Sequence, residues 1–168
     1  MIASSRSRPI NVSIPHGHAF QDEGTWHAEY PHAMPDADFE VIRQAWDACS
    51  RGDIEGMVEK LDPDIELIPF GASMQGKAYR GHDGVREWFR EEIEPDWAEF
   101  QTIPQQFRRV DGRILVFGQW IASGRTSGVH LNVAATWIVD VRDGKITRWQ
   151  TYTDRDEALE ALRARRFE

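Results

Sequence analysis

The sequence predicts a single-domain α+β protein in which helices precede an antiparallel sheet and one more helix follows it. Its 168 residues are the length of one domain. Apolar side chains recur at helical spacing before about residue 100, and segments rich in β-branched and aromatic residues follow. Asp111-Gly112 and Asp143-Gly144 are typical of the tight turns that join antiparallel strands. These observations together indicate a helical first half and a β-meander.

The first 35 residues differ from the rest of the chain. Four prolines interrupt them, no periodicity persists, and four of the six histidines lie there. Phe20, Trp26 and Tyr30 are aromatic side chains that polar disordered tails lack. We therefore predict an extended N-terminal arm over residues 1–35, packed on the domain or on a partner, and an α+β domain over residues 36–168.

Two helices are expected to open this domain. Gly52 is placed to end the first helix, and Asp53 is a favourable N-cap for a short second helix that runs to Leu61. Apolar side chains at the spacing of one helix face follow Asp36 in the first helix: Phe39, Ile42, Trp46 and Cys49.

A short strand over residues 65–70 and a glycine-rich loop over residues 71–81 come next. A third helix then continues until Pro95 breaks or kinks it. Its apolar face consists of Val85, Trp88, Phe89 and Ile93. The side chains expected to face water are Glu91, Glu92 and Glu94.

The second half of the chain predicts a four-stranded antiparallel meander, because its segments are rich in strand-forming residues. The last helix begins after Asp154, and Glu157 three positions later makes a variant of the capping box. The four predicted strands cover residues 101–110, 113–123, 129–142 and 145–153.

Composition excludes several classes of function. The formal net charge is −8, which repels nucleic-acid phosphates and anionic membrane surfaces. No stretch approaches the ~20 apolar residues of a membrane span, and no apolar run near the N-terminus suits a signal peptide. The single cysteine, Cys49, cannot form an intrachain disulfide. We expect a cytoplasmic protein with neither nucleic acid nor membrane as a partner.

Several short motifs, over about residues 36–162, resemble the nuclear transport factor two-like superfamily, and most of all its SnoaL-like polyketide-cyclase branch. The resemblance implies a cone, in which a strongly curved antiparallel sheet wraps round the N-terminal helices and leaves an apolar pocket. It also implies a homodimer joined through the sheet. The motifs are Ser50-Arg51-Gly52-Asp53, Asp62-Pro63-Asp64, Tyr79-Arg80-Gly81 before a Trp-Phe helix, and Arg142-Asp143-Gly144-Lys145-Ile146 leading to Tyr152-Thr153-Asp154.

The same resemblance implies that the catalytic groups of two well-defined relatives are replaced here. The positions that match the base, the tyrosine and the second acid of ketosteroid isomerases hold Ile68, Ala45 and Trp137. The positions that match the arginine and the two acids of limonene epoxide hydrolases hold Trp120, Ala122 and Thr151. Fold alone therefore does not assign the reaction.

Two carboxylates are the catalytic candidates. Glu66 shares the strand parity of Ile68, which in a cone should point inward, where a carboxylate can act as a general base or acid. The alternative is a Glu66 that lies in water or pairs with an arginine. Asp154 is the second candidate, and its alternative role is to cap the last helix.

Tryptophans supply the ligand-binding candidates, because aromatic walls suit flat apolar ligands. Trp46 and Trp88 lie on helix faces, whereas Trp120, Trp137 and Trp149 lie on separate strands. The alternative for each is core filling. Thr151 completes the ligand-binding set through the resemblance. His130 and Asn132 are expected on the outer, dimer-facing side of the sheet.

No metal site and no cofactor are predicted. His16 and His18 would share a side if extended, but with His27 and His32 they match no established metal motif. The chain also has no phosphate-binding glycine motif and no nucleophile elbow.

The function expected from these observations is acid/base chemistry, such as isomerisation, cyclisation or dehydration, on an apolar cyclic or polyketide-like small molecule. The first alternative is a non-catalytic binding or protective protein that uses the same pocket. A third hypothesis is an adaptor that binds another protein through the outer face of the sheet.

Overall fold

The computed structural model describes residues 36–70 and 77–164. The predicted arm, with its four histidines and its aromatic residues, lies outside these residues. No described helix is long and apolar enough to cross a membrane. The helices are α1 Ala37–Ser50, α2 Ile54–Val58, α3 Gly81–Trp88 with a π-helical turn Phe89–Ile93, and α4 Arg155–Ala164. The strands are β1 Leu61–Ile68, β2 Tyr79–Arg80, β3 Trp97–Val110, β4 Arg113–Gly124, β5 His130–Arg142 and β6 Lys145–Tyr152.

The α+β class is confirmed, and the expected elements follow in the expected order with one addition, the short strand β2, which lies where the end of the glycine-rich loop was expected. Asp36 caps α1 by accepting a hydrogen bond from the backbone N–H of Asp38 at 3.0 Å. Gly52 follows α1 with a φ of +71°, a backbone conformation that glycine adopts at no steric cost. The second helix is shorter than expected, because Leu61 already belongs to β1.

The described strands form one six-stranded sheet in the order β2-β1-β6-β5-β4-β3. Both Asp-Gly pairs have positive φ at both residues, as expected for the turns between β3 and β4 and between β5 and β6. One pairing differs from the predicted all-antiparallel sheet: β1 runs parallel to β6. Strand β6 is the last strand of the meander and has one edge unpaired within it. Strand β1, from the helical half of the chain, pairs with that edge.

The sheet bends because its long strands are irregular. The register of β3 against β4 shifts between Pro104 and Gln106, and such bulges curve a strand pair. Next to this shift the two backbones approach closely, since a Cβ at Gly118 would lie 2.1 Å from the carbonyl oxygen of Ile103. Only glycine fits at this position without moving β3.

Two hydrophobic cores lie on opposite faces of the curved sheet. The inner core packs α1, α2 and α3 against the sheet, with Ile42, Ala45 and Trp46 fully buried. The smaller outer core lies beneath α4 and consists of Leu115, Ile138, Tyr152, Ala158 and Leu162. Helix α4 therefore covers part of the outer sheet face, whereas the sequence led us to expect a partner subunit on that face.

Candidate functional site

A cavity of about 190 Å³ lies between the inner face of the sheet and the end of α3. Elements from both halves of the chain enclose it: the end of β1, α3 with its π-helical turn, and strands β3 to β6. Its wall is mainly aromatic, with Phe70 and Phe100 beside a set of tryptophans. The five tryptophans are Trp88, Trp97, Trp120, Trp137 and Trp149.

The rings on one side of the cavity are tilted against one another. Trp97 and Trp120 have centroids 6.4 Å apart at 67°, and Trp88 and Phe100 have centroids 6.4 Å apart at 79°. Phe100 and Trp120 are closer to parallel, at 6.0 Å and 30°. Edge-to-face contacts of this kind hold rings in defined orientations, so the wall is a preformed surface.

Of the four tryptophans expected to bind a ligand, Trp88, Trp120 and Trp137 line the cavity. Trp46 does not, which corrects its assignment. It is completely buried behind the wall, with its ring 4.7 Å from that of Trp137 and 5.2 Å from that of Trp149. Trp46 supports the wall from the α1 side because the helix and the sheet pack directly on it.

Among the described residues that line the cavity, Glu92 is the one ionisable side chain. The Tyr79 hydroxyl donates a hydrogen bond to Glu92 Oε1. Burial raises the pKa of Tyr79, and the hydrogen bond to Glu92 raises it further, so Tyr79 stays protonated and acts as a donor. The two side chains form a hydrogen-bonded pair at the edge of the aromatic wall.

The expectation that Glu92 faces water is wrong, and the cause is the π-helical turn. The backbone N–H of Glu94 bonds to the carbonyl of Phe89, five residues earlier, at 2.9 Å. A turn widened in this way rotates the side chains that follow relative to an α-helix, and π-turns occur frequently at functional sites. Helical periodicity in the sequence carries no signal of such a turn, so this residue was missed.

Two threonine hydroxyls complete the polar part of the lining. Thr102 on β3 and Thr151 on β6 are both buried and both line the cavity. The structure thus brings Thr151 to the predicted pocket, whereas Thr102 was not anticipated. The backbone N–H of Thr102 donates to Ser50 Oγ at 3.1 Å, which ties this part of β3 to the end of α1.

Glu66 lies on the opposite face of the sheet, so its expected position in the pocket is corrected. Leu61, Ile65 and Leu67 are the buried residues of β1, and Leu67 lines the cavity. The sheet register places Glu66 beside Arg80 on β2 and Arg148 on β6. Its carboxylate accepts a hydrogen bond from Arg148 and pairs with Arg80 at 2.9 Å. Glu66 is therefore paired with arginines, which is the alternative role that the sequence allowed for it.

Asp154 is also outside the cavity lining. It is exposed, and its carboxylate accepts a hydrogen bond from the backbone N–H of Glu157 at 2.9 Å at the start of α4. Its catalytic assignment is corrected to the capping role, which the spacing of the two residues had already offered as the alternative.

Other reactive side chains lie away from this pocket. Burial raises the pKa of the Cys49 thiol to about 12, so the thiol stays protonated at neutral pH. Ser123 Oγ lies 2.9 Å from His130 Nδ1 at the exposed end of the β4–β5 hairpin. Among the described residues no three metal-ligating side chains converge. The predicted absence of a metal site at the N-terminal histidines falls outside the described residues.

A curved sheet and helices that enclose an aromatic pocket define an α+β domain of the nuclear transport factor two-like kind. A nuclear transport factor two-like protein of unknown function from Burkholderia pseudomallei superposes on this chain with a TM-score of 0.62 at 22% identity. The match covers 74% of this chain and 96% of that protein. The profile of the SnoaL-like domain matches residues 42–149, more than half of the chain. The chain therefore belongs to the SnoaL-like domain family.

Relatives of known sequence and structural neighbours with the same fold cover most of the chain. An uncharacterised protein of Mycobacterium tuberculosis is 25% identical over 128 residues, which are 76% of this chain and 96% of that protein. TerC, co-crystallised with polyporic acid, has a TM-score of 0.62 at 24% identity over 74% of this chain and 97% of its own. A Mycobacterium tuberculosis protein in complex with estradiol-17β-hemisuccinate has a TM-score of 0.60 at 17% identity, over 71% and 95% of the two chains.

Proposed function

We propose that this protein is a small-molecule enzyme that uses Glu92 as a general base on an apolar cyclic ligand bound in the aromatic pocket. The observation that carries this proposal is the position of Glu92: it is the one ionisable group in the described lining, and a tyrosine hydroxyl holds it there. The reaction class is proton transfer, as in isomerisation, cyclisation or dehydration.

The proposed chemistry begins with a ligand C–H bond placed beside Glu92. The carboxylate takes the proton, and the electron pair of that bond moves into the ligand, for example towards a carbonyl oxygen. Thr102 and Thr151 line the same cavity, and their hydroxyls would donate hydrogen bonds that stabilise the developing oxyanion. Return of the proton from Glu92 to another ligand atom regenerates the carboxylate. Tyr79 acts as a positioning residue, because it fixes Glu92 Oε1 and leaves Oε2 for the ligand.

The structural neighbours support the binding part of the proposal. Polyporic acid and estradiol-17β-hemisuccinate are the ligands in two proteins with the same fold. The cavity here, at about 190 Å³, is smaller than the roughly 300–1,000 Å³ of typical ligand pockets. We therefore propose a ligand of one or two rings rather than a four-ring skeleton.

The base can be tested without knowing the natural substrate. 5-Nitrobenzisoxazole is a flat probe whose ring C–H proton a carboxylate removes while the N–O bond breaks, giving a coloured cyanophenolate. We expect Glu92→Gln to lower kcat/KM for this probe at least about 100-fold, the usual minimum contribution of a general base. Glu91→Gln, one residue away and paired with Lys77 at 3.8 Å, is the matched control and should retain the rate.

Equal rates in the wild-type protein and Glu92→Gln would contradict the proposed base. Thermal unfolding of both variants shows whether either substitution acts through stability instead. A Tyr79→Phe variant should lower kcat more than it raises KM, because it leaves the pocket wall intact but frees the Glu92 carboxylate to rotate.

A non-catalytic binding protein is the second candidate function. The scarcity of ionisable groups favours a binding protein, since the described lining offers one carboxylate and no second acid or histidine. Ligand binding by the wild-type protein together with an absence of probe turnover would select this candidate.

A homodimer joined through the sheet and a cytoplasmic location stay predictions. The part of the outer sheet face that includes Ala134 and Asn132 is exposed in the single chain, and this supports the homodimer. Light scattering after size-exclusion chromatography should give twice the 19.4 kDa chain mass, and a single-chain mass would contradict the prediction.

A further inference from the structure

The aromatic pocket combines several indole faces with one negative charge. Trp97 and Trp120 are half-buried and line the cavity with their rings tilted at 67°, so part of each indole ring remains accessible and the two rings do not form one flat stack. Indole is the best aromatic partner for a cation, because the face of the ring carries the negative part of its quadrupole. A set of such faces around one space is the arrangement that proteins use to bind alkylated ammonium groups.

The charge of the lining is negative, which is the sign that attracts a cation. Glu92 is the one charged side chain in the described lining, and none of the described Lys, Arg or His side chains forms an ion pair with it. Lys77 lies 4.4 Å over the Tyr79 ring, interacts with the Tyr79 hydroxyl and lies 3.8 Å from Glu91, but it is not among the described lining residues. The tyrosine partner of Glu92 is a neutral donor, so the described lining carries a net negative charge.

The negative charge of Glu92 favours cationic ligands over anionic and neutral ones. An anionic ligand would place two like charges together in an apolar space, where their repulsion is stronger than in water. A neutral ligand would leave Glu92 without a counter-charge after water is displaced. A cation whose charge is covered by alkyl groups is weakly hydrated, so it gains both the indole faces and the carboxylate at a low desolvation cost.

We propose that the natural ligand of this pocket is an organic cation: one or two apolar rings that bear a quaternary ammonium, iminium or other alkylated, positively charged nitrogen beside Glu92. The inference deepens the proposed function and rests on its claim that the pocket binds the ligand beside Glu92. It sets this chain apart from the two structural neighbours, whose ligands are a named acid and a hemisuccinate.

The test uses two probes of the same shape that differ in charge. In (3-hydroxyphenyl)trimethylammonium a positive nitrogen takes the place of the central carbon of 3-tert-butylphenol. We expect isothermal titration calorimetry of the full chain to give at least about tenfold tighter binding of the cation, since a desolvated cation–π contact and an ion pair each contribute about this much. Equal binding, or tighter binding of the phenol, would overturn the inference.

Variants assign the preference to its two sources. Glu92→Gln should weaken binding of the cation about tenfold more than binding of 3-tert-butylphenol, whereas Glu91→Gln should change neither affinity. Trp120→Leu keeps an apolar wall but removes one indole face, so it should weaken the cation more than the phenol. A Glu92→Gln variant that binds the cation as well as the wild-type protein does would contradict the role given to the carboxylate.

The outcomes separate this inference from the catalytic proposal. A cation preference without turnover of 5-nitrobenzisoxazole supports the inference and selects the binding-protein alternative. Turnover without a cation preference supports the base and overturns the inference. Binding of neither probe overturns the inference and also contradicts the proposed pocket.

Discussion

On the outer face of the sheet, Glu66 lies between Arg80 and Arg148, whereas on the inner side Glu92 lies among tryptophans with a tyrosine hydroxyl as its partner. Both carboxylates are partly buried. The strand register places two arginines beside Glu66, and both balance its negative charge. The inner one has a hydrogen-bond donor but no described counter-ion.

The difference separates a structural carboxylate from the carboxylate that we propose as the base. A carboxylate paired with arginines on two neighbouring strands holds those strands together. A charge that is hydrogen-bonded on one oxygen and faces a cavity contributes less to stability but remains accessible to a ligand. Substitutions on the two faces should therefore separate effects on stability from effects on binding and turnover.

The largest effect is expected from the support behind the inner wall. Trp46→Ala removes a fully buried ring that contacts Trp137 and Trp149, and such substitutions cost about 3–5 kcal/mol of unfolding free energy. Urea unfolding followed by far-UV circular dichroism measures this loss. Trp120→Ala on the half-buried side of the cavity is the control and should cost clearly less. A loss below about 1 kcal/mol for Trp46→Ala would contradict its placement in the core.

The outer carboxylate should show the next largest effect, and on stability alone. Glu66→Gln removes the carboxylate charge that pairs with Arg80 and with Arg148, which is 21% exposed, so we expect a loss of about 1–2 kcal/mol. Probe turnover and cation binding should stay at wild-type values. Loss of turnover in a variant of unchanged stability would restore Glu66 as a catalytic candidate.

Asp154 offers a third comparison, because it caps the helix that covers the outer core. Asp154→Ala removes the acceptor for the Glu157 N–H and should cost about 1 kcal/mol. Asp154→Asn keeps an N-cap acceptor and should recover most of that loss. If Asp154→Ala abolished turnover while thermal unfolding was unchanged, its capping role would not be the main one.

The smallest effect concerns pH and the inner pair. The folded-state pKa of Tyr79 lies above the ordinary value of 10.0, first because of burial and then because of the hydrogen bond to Glu92. Stability from protonated Tyr79 is therefore complete below pH 10 and is lost as pH rises through the raised folded value. Tyr79→Phe should lack this alkaline loss in urea unfolding measured on both sides of pH 10. Parallel profiles for the two proteins would show that the pair does not contribute.

Several features could be predicted because they depend on neighbours in the sequence. Asp36 with the apolar face of α1, the two Asp-Gly turns, and Asp154 three residues before Glu157 are local signals, and each element formed where its signal lies. Trp88, Trp120 and Trp137 were expected in the pocket from their helix face and strands, and Thr151 from the family resemblance, and all four line the cavity. Trp46 carried the same helical signal as Trp88, and composition alone does not separate a wall residue from its support.

The sequence by itself thus determined the α+β class, the order of the elements and an aromatic interior, because propensity, capping and turn chemistry act over a few residues. Only the tertiary structure decided which carboxylate meets the cavity. The pairing of β1 with β2 and β6 set the face of Glu66, and a shift of one position on a strand exchanges inside for outside. The π-helical turn then carried Glu92 to Tyr79 and to the tryptophans, through contacts between residues far apart in the chain.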